Sequence, residues 1–85
     1  MKKVIMYSLS TCPWCRKAKT YFEEQGVAYE YTDYDLADDG TQQSIDRDMR
    51  DIGAGGFPVV KIGTDIVTGY KPDRYEELLG QKSAQ

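Results

Sequence analysis

Residues 3–9 (KVIMYSL) form a nearly continuous apolar run, and just beyond it the chain carries both of its cysteines in the quartet Cys12-Pro13-Trp14-Cys15. A run of that length suits a buried central strand better than a helix. Pro13 fits the first position of a helix, where its missing N–H costs nothing. Behind it Trp14, Ala18, Tyr21, Phe22 and Gln25 recur at helical spacing, with the middle three as the firm apolar stripe, and Gly26 is a helix stop. The cysteines therefore stand at a strand-to-helix turn, and this junction restricts the fold more than any other segment.

The remaining elements extend the same pattern. Residues 27–34 (VAYEYTDY) alternate Val27, Tyr29 and Tyr31 against Ala28, Glu30 and Thr32, which predicts a strand. Asp38, Asp39 and Gly40 read as a loop. From about Thr41 a second helix carries Ile45, Met49 and Ile52 on one face and ends at Gly53, ahead of a glycine-rich stretch that leads to Phe57. Residues 58–62 (PVVKI) and 66–68 (IVT) predict two strands joined by Gly63-Thr64-Asp65 as a hairpin loop. A last helix begins near Pro72 or Asp73, buries Tyr75, Leu78 and Leu79, and stops at Gly80; residues after Gln81 read as frayed. The order is βαβαββα. The first two strands, joined through a helix, are expected to pair in parallel by a right-handed crossover, and the last two antiparallel. The expected class is α/β, a four-stranded mixed sheet flanked by three helices. At 85 residues the chain is expected to be one domain, 1–85, with a modest core.

Charge narrows the partners. The net charge of −3 argues against nonspecific nucleic-acid binding. Residues 1–22 hold Lys2, Lys3, Arg16, Lys17 and Lys19 and no acid, a local charge of +5, so the remainder sums to −8. The asymmetry reads either as a solvated face or as a positive field around the cysteines. No apolar run approaches the ~20 residues of a membrane span. The N-terminal MKKVIMYSLS is basic at its start, but its apolar run is too short for a signal peptide. A cytoplasmic protein without membrane contact, monomeric in view of its size, is the expectation. In that compartment a permanent disulfide is opposed by the thiol pool.

The cysteine spacing has several readings. Residues i and i+3 share a helix face, so the two sulfurs can meet. Cys12, at the helix N-terminus, faces unpaired N–H groups and the positive pole of the helix, which favour the nucleophilic thiolate. Arg16, Lys17 and Lys19 add to that field if they point towards it. Cys15, one turn inside, is expected to be more buried and to keep its proton longer. Cys12 then attacks a substrate disulfide and Cys15 resolves the mixed disulfide. Pro13 fixes the backbone between them and Trp14 covers the site. A structural disulfide would close a very small loop and stabilise little. A zinc site needs four ligands as a rule, and the chain has two cysteines and no histidine. Haem attachment needs a histidine where Arg16 stands.

Three segments resemble the glutaredoxin family, within the thioredoxin fold, and the resemblance runs from Val4 to Gly80. YSLSTCPWC is similar to the family's Tyr-Ser…Cys-Pro-aromatic-Cys segment, GGFPVVKIG to its Thr-Val-Pro loop and following strand, and VTGYKPDRYEELL to its Gly-Gly-x-Asp-Asp segment and last helix. The resemblance implies a thioredoxin-like sheet of four strands with three helices and a cis Pro58 lying against the cysteine pair. It implies that Phe57 offers its backbone to an extended substrate, as an added strand does, and that Gly69 and Tyr70 form the other wall. It implies a dithiol-disulfide oxidoreductase with no tightly bound cofactor, acting on disulfide-containing proteins or on mixed disulfides with glutathione as co-substrate.

Two positions depart from the glutathione-using pattern. Leu9 stands where such members carry a lysine for a glutathione carboxylate, and Lys71-Pro72-Asp73 replaces the Asp-Asp that meets the glutathione amino end. The GYKPD pattern resembles the glutaredoxin-like electron donors of ribonucleotide reductase, which draw electrons from thioredoxin reductase. Lys71 can still hold a carboxylate, and Arg50 is a further candidate anion partner. A different expectation from the same resemblance is an iron–sulfur cluster bridged between two subunits through the first cysteine and glutathione. The proline of CPWC weighs against it.

Overall fold

The computed structural model of the protein describes residues 3–80. Lys2 and the stretch expected to fray lie outside the described residues. Eight segments follow in order: β1 (Val4–Ser8), α1 (Pro13–Glu24), β2 (Glu30–Asp33), a 3-10 turn (Tyr34–Leu36), α2 (Asp39–Ile52), β3 (Val59–Ile62), β4 (Asp65–Thr68) and α3 (Pro72–Leu79). The strands form one sheet in the order β2-β1-β3-β4. β1 pairs in parallel with β2 and antiparallel with β3, and β3 pairs antiparallel with β4. The mixed four-stranded sheet and three α-helices are those expected.

The register separates two faces. Val4, Met6 and Ser8 are buried on one of them, where Val4 stands opposite Ile62, Met6 opposite Val60, and Val60 opposite Val67. Ala18 and Phe22 of α1 and Tyr75 of α3 complete that core. Tyr75 and Phe22 stack at 5.1 Å between ring centroids, which locks the two helices together. The other face carries Val59 under Ile45 and Met49 of α2, with Tyr7, Ile52 and Phe57 packed at the margin. Asp48 of α2 accepts hydrogen bonds from Tyr7 of β1 and Lys61 of β3, so a polar clamp adds to a small apolar contact. β1 is thus central, but its burial alternates instead of being continuous, because α2 covers its face less completely than α1 and α3 cover theirs.

Three boundaries differ from the sequence expectation. Residues 27–29 are not in the sheet: the N–H of Val27 still bonds to the carbonyl of Phe22, so the chain is held to the end of α1 before it joins β1. Tyr34 opens the 3-10 turn, its carbonyl accepting from Ala37. β2 is an edge strand, and Tyr31 is half exposed on it. α2 begins at Asp39 because Asp38, expected in a loop, is its N-cap, accepting from the N–H of Thr41 at 2.7 Å. The β3–β4 hairpin turns on Gly63 and Thr64 alone, since Asp65 already pairs with Ile62.

Candidate active site

Cys12 is the N-cap of α1, with φ −86° and ψ 117°, and Pro13 occupies the first helical turn. The Cys12 amide is held by the Leu9 carbonyl at 3.2 Å, which closes the strand-to-helix turn. In this position the Cys12 Sγ does what a capping oxygen does elsewhere: it accepts the N–H of Cys15, at 3.3 Å. Both cysteines are free thiols, Cys12 half-buried and Cys15 wholly buried.

Their ionisation is driven apart. Burial opposes the Cys12 thiolate most strongly. Against it act the hydrogen bond from the Cys15 thiol, the N–H groups of Cys15 and Trp14, and the charge of Lys19, and the outcome is a pKa below the ordinary thiol value. Cys15 is pushed up to about 12, by burial first and then by donating its proton to Cys12. One sulfur is therefore disposed to ionise and its neighbour to keep its proton. No acid stands in the first turn of α1 to offset the positive helix pole.

Of the three cations that follow the pair, Lys19 supplies charge to both sulfurs. It is anchored for this. Its ammonium lies 3.0 Å from Asp33 Oδ1, and the two side chains are only 20% and 15% exposed. Lys17 lies over the Trp14 ring, 4.5 Å from its centroid, and Arg16 is on the exposed face of the helix.

A groove of about 280 Å³ is walled by Trp14, which stands between the two cysteines in sequence, and by Phe57, Pro58, Gly69 and Tyr70. The Phe57–Pro58 peptide is cis, as the resemblance implies. The N–H of Gly69 donates to the Pro58 carbonyl at 2.7 Å and joins the two walls. Trp14 is 55% exposed and sits beside Tyr70, with ring centroids 6.1 Å apart, so it forms a side of the groove and not a lid. Lys71 is exposed next to Tyr70. Leu9 is half-buried. Arg50 lines a neighbouring cleft of about 400 Å³ on the α2 side, which shares Phe57 with this groove and also holds Tyr34 and the carboxylate of Asp46. Among the described residues no three His, Cys, Asp or Glu side chains are grouped to hold a metal ion, and no helix is long and apolar enough to cross a membrane.

Sequence reasoning missed the supports of this site. Ser8 is a buried hydroxyl at the end of β1 and donates to Asp33 Oδ1 at 2.6 Å, the oxygen that also holds Lys19. Ser10 is fixed by Asp35, which accepts its N–H at 2.8 Å and its hydroxyl. Tyr75 donates to the Gly69 carbonyl at 2.6 Å. The one available signal was the polar residue Ser8 inside an apolar strand, since a buried hydroxyl requires a partner.

Residues 4–67 match the glutaredoxin family model. The chain belongs to the glutaredoxin family. It is 31% identical over 75 residues to a glutaredoxin-like 8.6 kDa protein of the rubredoxin operon of Clostridium pasteurianum, covering 87% of this chain and 93% of that relative. The glutaredoxin of Archaeoglobus fulgidus superposes with a TM-score of 0.79 at 32% identity, over 93% of this chain and 87% of that one. NrdH-redoxin of Escherichia coli, a glutaredoxin-like protein with a thioredoxin-like activity profile, superposes with a TM-score of 0.76 over 89% of this chain and 93% of that one. At 24% identity this last likeness speaks to the fold, which is thioredoxin-like. The chain is thus a glutaredoxin-like redox protein whose two cysteines lie close together at a helix N-terminus.

Proposed function

We propose that the chain is a dithiol-disulfide oxidoreductase that reduces protein disulfides and glutathione mixed disulfides through Cys12 and Cys15. The observation that carries the reading is the Cys15 N–H on Cys12 Sγ at 3.3 Å, at the open end of a helix. It favours the thiolate on the sulfur that a substrate can reach. The thiolate attacks one sulfur of a disulfide; a Cys12–substrate S–S bond forms, the substrate S–S bond breaks, and the departing thiolate takes a proton. Cys15 then loses its proton and attacks Cys12 Sγ. The Cys12–Cys15 disulfide forms, the mixed disulfide breaks, and the second substrate sulfur leaves and is protonated. Two electrons pass from the dithiol to the substrate. Once Cys12 is in the mixed disulfide its negative charge is gone, which removes one of the causes holding the proton on Cys15.

The groove supports an extended substrate. Phe57 precedes the cis proline and offers main-chain groups to a strand laid along it, while Gly69 and Tyr70 bound the other side. A new round needs an external thiol reductant, either two glutathione molecules or the dithiol of a thioredoxin reductase. Leu9 brings no charge to the position where glutathione-using relatives carry lysine, and Lys71 is left as the groove's neighbouring cation. We assign thioredoxin reductase as the stronger electron source and glutathione as the weaker.

Two coupled assays test this, one with glutathione and its reductase, the other with thioredoxin reductase. Disulfide reduction in the second should be the faster. Cys12→Ser should abolish turnover, and Cys15→Ser should accumulate mixed disulfides while keeping some single-thiol activity. Full turnover by the Cys12→Ser protein would end the assignment.

A further inference from the structure

The groove at Trp14 and Pro58 has a neighbour across Tyr70. Tyr70 is shared with a second, larger cleft of about 410 Å³ on the outer face of α1, lined also by Pro13, Arg16, Lys17, Thr20 and Glu24. Pro13 adjoins Cys12, so a chain whose disulfide is presented to that sulfur can continue across Tyr70 into the cleft. We infer that this cleft is the docking surface for a partner protein whose disulfide is flanked by acidic residues. The inference rests on the oxidoreductase reading and names the class of protein substrate.

Charge decides the partner. Arg16 and Lys17 are exposed, and among the described residues neither is in an ion pair. Both stand in the first turns of α1, where no acid offsets the helix pole. Glu24 lies at the other end of α1, and Asp73 and Glu76 of α3 act on Tyr21, which also lines the cleft, so the positive field is confined to the part of the cleft at Arg16 and Lys17. The rest of the chain beyond residue 22 sums to −8. An acidic segment is therefore repelled by most of the surface and attracted where the thiol is, which orients its approach. A nucleic acid is a poorer occupant: a long polyanion would leave the patch and meet the acidic remainder.

The test is single-turnover oxidation of the pre-reduced full chain by three disulfide peptides with one core sequence and acidic, neutral or lysine flanks, followed by loss of free thiol. The acidic peptide should half-saturate at a concentration about tenfold lower than the neutral one. In the native protein this preference should fade as salt is raised. The Arg16→Glu/Lys17→Glu protein should prefer the lysine-flanked peptide once each peptide rate is divided by that protein's own rate on hydroxyethyl disulfide, which removes any change in Cys12 reactivity that the new acids bring. Equal half-saturation by acidic and neutral peptides, a preference indifferent to salt, or an acidic preference that survives the double reversal would overturn the docking surface alone. Failure of every disulfide, hydroxyethyl disulfide included, to oxidise the native protein would instead overturn the redox reading beneath it.

Discussion

The N–H of Gly69 donates to the carbonyl of Pro58 at 2.7 Å, while the Gly69 carbonyl accepts the hydroxyl of Tyr75 at 2.6 Å. One residue thus has both main-chain polar groups engaged, one to the loop with the cis peptide and one to the buried face of α3. The spacing between the groove's walls is set through it. Gly69 holds φ +90°, a backbone conformation that side chains with a Cβ disfavour.

Gly69→Ala separates backbone from space, because an added Cβ would meet nothing within 4 Å. The expected loss is about 1 kcal/mol of stability from the backbone alone, with weaker saturation by disulfide substrates as the walls shift. Gly55 also has open space around a Cβ, without a positive φ. Urea unfolding of Gly69→Ala and Gly55→Ala should show a clear loss in the first and almost none in the second. Equal losses would refute the backbone argument.

Lys19 is the cation that reaches both sulfurs, and Asp33 keeps it in place. Iodoacetamide should alkylate Cys12 with a half-rise below the ordinary thiol value of 9.0. Lys19→Gln should move that half-rise upward and slow alkylation near neutral pH roughly twofold, as the loss of one screened charge implies. Arg16→Gln should leave the profile where it was. An unchanged profile in Lys19→Gln would leave the Cys15 thiol and the N–H groups of the helix terminus as the whole cause.

Much of this architecture was legible because it is local. Cys12 and Pro13 mark a strand-to-helix junction by residue type alone, and Gly53 and Gly80 end helices as C-terminal stops must. The face of Ile45 and Met49 needed only the helical period. Residues 27–29 misled because their alternation is real while the Val27 amide still belongs to the end of α1. Asp38 was legible in principle as a cap, but Asp-Asp-Gly fits a loop as well. The supports of the site were not legible. Ser8 meets Asp33 only through the parallel register of β1 and β2, and Tyr75 meets Gly69 only once α3 has packed. Such contacts belong to the assembled sheet and leave little trace in a local window.

Alkaline stability depends on acids whose proton the fold holds back, and Cys15 and Tyr75 are the most buried of them. Burial foremost raises Cys15 from 9.0 to about 12 and Tyr75 from 10.0 to about 12. In the unfolded chain both return to their ordinary values. Below those values folded and unfolded forms hold the proton alike, and the contribution is fully present. Between them and about 12 the unfolded form releases protons first, so stability falls as pH rises. Cys12 has the opposite sign: its lowered value stabilises above 9.0 and that contribution is lost as pH falls through the folded value. Urea midpoints should therefore decline above pH 9.0, and Cys15→Ser or Tyr75→Phe should each flatten the decline. A decline of the same steepness in both variants would assign it to other groups.

Ser8, the last residue of β1, and Ser10, in the turn that follows, offer a matched comparison. Each donates its hydroxyl to an aspartate 25 residues on, Ser8 to Asp33 and Ser10 to Asp35. Ser8 is fully buried, and the Ser10–Asp35 bond is exposed. Water can replace the second bond but not the first. Ser8→Ala should therefore cost about 1–2 kcal/mol, and Ser10→Ala about 0.5 or less. The Ser8 deletion should also loosen Lys19, since Asp33 Oδ1 is shared between them. Its mark beyond stability is a Cys12 alkylation profile displaced in the same direction as in Lys19→Gln. A Ser8→Ala protein that loses stability with an unmoved thiol profile would confine Ser8 to the fold and detach it from the chemistry.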